Sequence, residues 1–204
     1  GMRRDVLLKG TVFGSSPSTK GHVMKSESLS ELALGLAGSG GDGIITSGDF
    51  IAAAIAAEGL SCLETKAFGP QIRGGESSVQ VRLGTGHISA PADSLDCLGV
   101  LSWRDFKLFR SDMPLARGAV VLYDEKDELP PELTPLGADK GAKFLSLPIT
   151  DLSKEATGDT RSRNMVILGM IAEIFSLPVE GIRAAITRKF GKKKTIPYGL
   201  GMSS

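Results

Sequence analysis

The sequence predicts an α/β domain: a three-layer α/β/α, Rossmann-like fold around a mostly parallel sheet. Three observations carry this. Strand-like runs alternate with segments of helical period, the pattern of βαβ units. Residues 97–101 and 119–123 are continuously apolar, as strands covered on both faces are. A glycine-rich turn joins an apolar run to a helical segment near the start of the regular sequence.

The elements follow in order. Residues 2–28 are rich in Ser, Gly, Thr and Lys and read as an N-terminal arm, with a short strand at 6–12. Residues 32–37 form the first strand. A helix over 44–57 places Ile44, Gly48, Ile51, Ala52 and Ile55 along one face. Strands follow at 60–66 and at 77–83, where Val79 and Val81 alternate with Gln80 and Arg82. After the strand at 97–101 comes a short helix at 103–109, then the strand at 119–123 and a late strand at 144–149. Met165, Leu168, Ala172 and Phe175 recur at helical spacing over 163–175. Pro178 opens a last helix with Val179, Ile182, Ile186 and Phe190 inward, proline being suited to a first turn. The expected divisions are an arm over 1–29, a domain over 30–191 and a basic, flexible tail over 192–204. Gly1 before Met2 reads as the scar of a cleaved tag.

Composition narrows the chemistry. With 204 residues, 41% of them apolar and 23% charged, the chain is sized for one soluble core. A formal net charge of +1 gives no electrostatic case for nucleic acid or membrane binding. No apolar run reaches bilayer length and no signal-peptide pattern is seen, so the expected location is the cytoplasm. Cys62 and Cys97 lie in apolar strand-like runs and read as buried, reduced thiols. Two cysteines without a Cys-x-x-Cys pair do not hold an iron–sulfur cluster, and His22 and His87 alone do not suggest zinc.

The first motif is Gly38-Ser39-Gly40-Gly41-Asp42-Gly43, where strand, glycine turn and helix together form a natural anion cradle. Gly38-x-Gly40-x-x-Gly43 matches the dinucleotide fingerprint, with Glu64 near the place of the ribose-binding acid. Against that reading, residues 65–67 continue the strand past Glu64, whereas the ribose-binding acid belongs at a strand's end. Gly41-Asp42-Gly43 also resembles the opening of a thiamine-diphosphate motif. That motif needs an asparagine some 25 to 30 residues on to share the octahedral metal, and the sole asparagine is Asn164.

The second motif is Phe68-Gly69-Pro70-Gln71-Ile72-Arg73-Gly74-Gly75-Glu76-Ser77. Its glycines allow irregular backbone, Pro70 stiffens it, and Arg73 offers a planar cation for carboxylate or phosphate. With both motifs in place the chain resembles the gamma subunit of the 2-oxoacid:ferredoxin oxidoreductases. That family's pattern runs Gly-x-Gly-Gly-x-Gly, a small-residue helix, then an aromatic-Gly-Pro-x-x-Arg-Gly-Gly-x-Ser loop entering a Val-Arg strand. The resemblance spans residues 31–190 and includes the late helix pair opened by Asn164-Met165. Asp42 stands where many relatives have Gln, and Phe68 where many have Tyr. The form of the second loop is more similar to gamma domains fused to alpha subunits of the 2-oxoglutarate type; pyruvate and branched 2-oxoacids stay open.

The resemblance implies an enzyme complex that oxidatively decarboxylates a 2-oxoacid with coenzyme A, giving acyl-CoA, carbon dioxide and reduced ferredoxin. It implies that thiamine diphosphate, Mg²⁺ and the iron–sulfur clusters reside in alpha, beta and ferredoxin-like delta partners. This chain is then a noncatalytic component, inactive alone, binding no cofactor by itself and open to self-association when isolated. The alternative is a stand-alone NAD(P)-, nucleotide- or CoA-binding Rossmann-like protein.

No catalytic residue or metal ligand is assigned to the chain. The candidate ligand, anion or interface loop is Gly38, Gly40, Gly41, Asp42 and Gly43. The second candidate loop is Phe68, Gly69, Pro70, Gln71, Arg73, Gly74, Gly75, Glu76 and Ser77. Arg73 reads either as an anion anchor or as an internal salt bridge, and Asp42 and Glu76 as interface groups or solvated loop carboxylates. Trp103 reads as core packing, His87 as exposed, and the basic run from Arg188 to Lys194 as a solvated helix end.

Overall fold

The computed structural model describes residues 31–70, 75–133, 135 and 139–191. The arm over 1–29 with its strand at 6–12, the tail over 192–204, and Gln71, Ile72, Arg73 and Gly74 lie outside the described residues. Six strands form one sheet: β1 (Glu31–Ser39), β2 (Ser61–Phe68), β3 (Glu76–Gly84), β4 (Leu95–Val100), β5 (Leu115–Asp124) and β6 (Lys143–Leu147). Their spatial order is β2-β3-β1-β4-β5-β6. β1, β4, β5 and β6 run parallel, while β3 is antiparallel to both β1 and β2. Five strands therefore share a direction and β3 opposes them.

The antiparallel β3 has a simple cause. Few residues separate Phe68 from Glu76, too few for a parallel crossover, so the chain must turn straight back. The returning strand enters between β1 and β2 and pairs with both along its length, from Glu31↔Gly84 to Ser39↔Glu76 on one side and from Ser61↔Gly84 to Phe68↔Ser77 on the other. The βαβ unit of β1, α1 (Ile44–Ala57) and β2 is thus split by the next strand.

Alternation along the strands sorts side chains onto two faces. Leu32, Leu34, Leu36, Val79, Val81, Leu83, Cys97 and Leu122 pack against α1, α4 (Arg163–Ile174) and α5 (Val179–Phe190). Ala33, Ala37, Leu98, Val100 and Val121 pack beneath α2 (Trp103–Phe109). The three expected layers are present, the α2 side being the thinner.

Several local expectations are corrected. Residues 144–149 are not one strand: β6 ends at Leu147, and Ile149 opens a helix, α3 (Ile149–Thr157), absent from the sequence reading. That helix is only nine residues long and fully buries just Ile149 and Ser153, with Leu152 and Ala156 half-buried on the same side. Its start is fixed by Asp124 at the end of β5, buried to 1% exposure, which accepts hydrogen bonds from the Thr150 amide (2.7 Å) and the Thr150 hydroxyl. On α1 the inward residues are Phe50 and Ala54 alongside Ile44, Gly48, Ile51 and Ile55, while Ala52 is half-buried. On α4 they are Ile167 and Ile171 with Leu168 and Ala172, Met165 being half-buried. Phe190 is 40% exposed, yet packs edge-on to Phe50 at 5.9 Å between ring centroids. Cys97 is buried as expected, but Cys62, on the edge strand β2, is half-buried.

At Gly99 of β4 the sheet lets α4 come close: a Cβ there would stand 2.6 Å from Ile167 Cγ2 and 2.7 Å from Leu36 Cδ2. Both neighbours are fully buried. Gly99→Val should therefore overpack the main core and lower stability by about 1–3 kcal/mol, read as a fall in urea midpoint at unchanged slope.

Candidate functional site

The first loop leaves the end of β1 and enters α1. Its turn closes on itself: Ser39 N–H donates to Asp42 Oδ2 (2.9 Å) and Asp42 N–H donates to the Ser39 carbonyl (2.9 Å). Gly43, the residue before α1, has φ +70°, a left-handed conformation costly for any residue with a Cβ. Gly38 lies within β1 opposite Ser77 of β3, and Gly41 faces open space.

The second loop is joined to the first. Gly40 N–H donates to the Gly75 carbonyl at 2.6 Å, and Gly69 N–H donates to the Glu76 carbonyl at 2.7 Å, closing the mouth of the β2–β3 turn. At Gly69 the Glu76 side chain folds over the backbone, and a Cβ there would lie 2.0 Å from Glu76 Oε2 and displace that carboxylate. The described members of both motifs thus meet at the C-terminal end of β1. Phe68 is 68% exposed and Pro70 is exposed. Gln71, Arg73 and Gly74 fall outside the described residues.

Neither candidate carboxylate is a solvated loop group. Asp42 is tied to Ser39 and stands 3.4 Å from the Arg163 guanidinium, and Glu76 begins β3 with Oε2 buried and, among the described residues, without a hydrogen-bond partner. Ser77 Oγ is likewise buried and unpartnered.

Sequence reasoning missed the partners that arrive from far along the chain. Arg163 and Asn164 open α4 and reach back 121 residues. Asn164 is 6% exposed, and its Nδ2 donates to the Gly43 carbonyl (3.2 Å) and to Ser47 Oγ (2.9 Å). Its wide separation from Asp42 had set it aside as a metal partner, and the fold brings it to the loop in another role, as an amide donor.

A second unforeseen feature lies on the other side of β1. The chain leaves β1 to form α1 on one face and leaves the adjacent β4 to form α2 on the other. Their C-terminal ends are therefore a topological switch point, where open α/β sheets hold a crevice. Here it is an open cleft of about 420 Å³ lined by Ser39, Asp42, Leu101, Ser102, Trp103, Arg104, Lys126, Asp127, Glu128 and Arg163. Ser102 caps α2 by accepting the Asp105 N–H (3.4 Å), and Ser39 Oγ donates to Asp105 Oδ2 at 2.5 Å. Asp105 is 1% exposed. Burial pushes its carboxyl upward, but the Ser39 and Ser102 hydroxyls and the Arg104 guanidinium outweigh it and hold the group below the ordinary carboxylate value. Asp127 is shifted the other way, by burial first and then by the charges of Asp124 and Asp42, with Arg163 opposing. Trp103 packs on Phe106 and Tyr123 as core, as expected, with its Nε1 buried and unpartnered. His87 is exposed, also as expected.

These residues do not form the cofactor sites the motifs suggest. For a dinucleotide, Glu64 is misplaced: β3 separates β2 from β1, and Glu64 sits mid-strand with Oε2 3.1 Å from Lys66. Burial, the largest influence, raises its carboxyl above the ordinary value. For a thiamine-linked metal, Asn164 does not stand in for the motif's asparagine oxygen beside Asp42, because it turns its nitrogen to the loop. For a cluster, Cys62 on β2 and Cys97 on β4 are three strand spacings apart, about 14 Å.

Asp105 gives a pH-dependent prediction. A folded-state value below the unfolded one means its stabilisation is complete above the ordinary carboxylate range and is lost as pH falls through the lowered value. Asp105→Ala, which strands the Ser39 hydroxyl, should cost about 1.5–3 kcal/mol at neutral pH. The gap from wild type should narrow progressively as pH falls below the ordinary carboxylate range toward the lowered value. Urea unfolding at about pH 7 and about pH 3 checks this; a gap independent of pH contradicts it.

The chain was compared with known proteins. The family model described as pyruvate ferredoxin/flavodoxin oxidoreductase matches residues 33–199. The 2-oxoglutarate synthase subunit KorC of Methanothermobacter thermautotrophicus is 30% identical over 152 residues, which cover 74% of this chain and 78% of that subunit. The ketoisovalerate oxidoreductase subunit VorA of the same organism is 31% identical over 83% of this chain, but only 34% of its own length is matched. Among solved structures, the 2-oxoglutarate:ferredoxin oxidoreductase from Magnetococcus marinus, with 2-oxoglutarate, coenzyme A and succinyl-CoA bound, aligns with a TM-score of 0.70 at 32% identity. The alignment covers 81% of this chain and 28% of that longer one. The gamma subunit of a keto/oxoacid ferredoxin oxidoreductase from Geobacter sulfurreducens shares the fold, with a TM-score of 0.61 at 24% identity over 79% of this chain and 88% of that one. Matched across most of its length, the chain belongs to the pyruvate ferredoxin/flavodoxin oxidoreductase family.

Proposed function

We propose that this chain is the noncatalytic gamma component of a 2-oxoacid:ferredoxin oxidoreductase. The assembled enzyme converts a 2-oxoacid and coenzyme A to acyl-CoA and carbon dioxide, passing the released electrons to ferredoxin. Thiamine diphosphate, Mg²⁺ and the iron–sulfur clusters belong to the alpha, beta and ferredoxin-like delta partners, and the complex works in the cytoplasm. The observation that best supports this reading is the Gly40–Gly75 hydrogen bond, which welds the two family motifs into one rim. Such a rim is suited to border a site whose chemistry is supplied from outside the chain. Consistent with a location in the aqueous phase, no helix among the described residues is long and apolar enough to cross a membrane. The named relatives act on 2-oxoglutarate and on ketoisovalerate, so the substrate class we assign is the 2-oxoacids.

Reconstitution tests the reading. The complex assembled without this chain should lose 2-oxoacid- and CoA-dependent acceptor reduction, adding the chain back should restore it, and the chain alone should be inactive. A large thermal stabilisation of the isolated chain by NAD(H) or NADP(H) would overturn the proposal, since tight binding must raise folded-state stability. In the second motif, Arg73→Ala should weaken assembly or raise the KM for coenzyme A by about tenfold, the worth of one charge-assisted contact. If both stay unchanged, Arg73 serves only its own loop.

A further inference from the structure

The edge strand β2 carries a self-complementary pattern. β2 is the terminal strand of the sheet, and no described strand lies beyond it. The direction of its backbone groups follows from the register. The Gly69 N–H bonds to the Glu76 carbonyl, across the same β2–β3 register that pairs Phe68 with Ser77. In an antiparallel ladder alternate residues face the neighbour, so Ser61, Leu63, Thr65 and Ala67 bond inward to β3. The N–H and C=O groups of Cys62, Glu64, Lys66 and Phe68 then point outward along the free edge. No register shift breaks this alternation, and no proline lies in the strand.

An outward row of this kind is a template for another strand. We infer that the edge pairs with β2 of a second copy, antiparallel, about a two-fold axis through Thr65. Charge selects this register. An axis through Glu64 would set Glu64 against Glu64, and one through Lys66 would set Lys66 against Lys66. The axis through Thr65 sets Glu64 opposite Lys66 twice and engages all four outward residues. It also lays Phe68, 68% exposed, across the half-buried Cys62 of the other copy. The pairing is isologous and closed, joining two six-stranded sheets into one. It shares Phe68 with the second loop, but its argument rests on the strand edge and not on the functional proposal.

Sedimentation equilibrium of the full chain should show a dimer, and Lys66→Glu, which places Glu64 opposite a second carboxylate twice, should weaken it by about tenfold. Because Lys66 also pairs with Asp49 and Glu64 inside the molecule, a second measurement is independent of its folding role. In a Cys62→Ser background, Thr65→Cys should form a covalent dimer under mild oxidation, because facing Cα atoms at a non-hydrogen-bonded site are about 4.5 Å apart. Leu63→Cys should not, because its counterpart lies about 13 Å away. A chain that is monomeric at about 100 μM, near the concentration at which ordinary interfaces are filled, overturns the inference. So does a dimer in which Leu63→Cys cross-links as readily as Thr65→Cys, or one in which neither does. A monomeric chain whose edge is instead filled by a strand of a partner subunit overturns it equally.

Discussion

The architecture depends on the reversal of β3. A strand that returns at once after β2 can only pair antiparallel, and here it takes the place beside β1 that a doubly wound fold would give to β2. This displaces β2 to the edge and removes Glu64 from the reach of the first glycine loop. It also carries Gly75 alongside Gly40, turning two loops distant in sequence into one rim. The glycine fingerprint is thereby separated by one inserted strand from the acidic residue that would accompany it in a dinucleotide site.

Around that rim the polar groups are arranged for shape. Asp42 holds Ser39, Arg163 holds Asp42, and Asn164 holds the carbonyl of the left-handed Gly43. On the far side Asp105 anchors α2 to Ser39 from a fully buried position. Buried charges are costly unless every bond is made, and Asp105 is matched by two hydroxyls and a guanidinium. The result is a preformed surface of backbone and tied side chains at the end of β1.

Much of this was legible in the residues. β1, β4 and β5 appear as apolar runs because both sheet faces are covered, and the first glycine loop stands out because Gly43 takes a left-handed φ and Gly38 is closely hemmed in. The helix α3 was hidden because its first apolar residue, Ile149, follows β6 with a single residue between them and extends the strand-like run, leaving only Leu152 and Ala156 to mark a helical period. The inward face of α1 was partly misread, with Ala52 in place of Phe50, because a small-residue helix offers weak contrast between its sides. Arg163, Asn164 and Asp105 were illegible as site residues for a different reason. Nothing local marks a side chain whose partner lies 66 or 121 residues away.

That long separation bears on how the protein is made. The carbonyl of Gly43 receives its bond from Asn164 only after α4 has been synthesised and docked. Contacts so distant in sequence are expensive in loop-closure entropy and form late. While the chain emerges from the ribosome, the β-rich first half can pair, but the glycine loop lacks the clamp that sets its shape. The loop therefore takes its final shape only once Asn164 has reached it, so its geometry reports on the folding of α4.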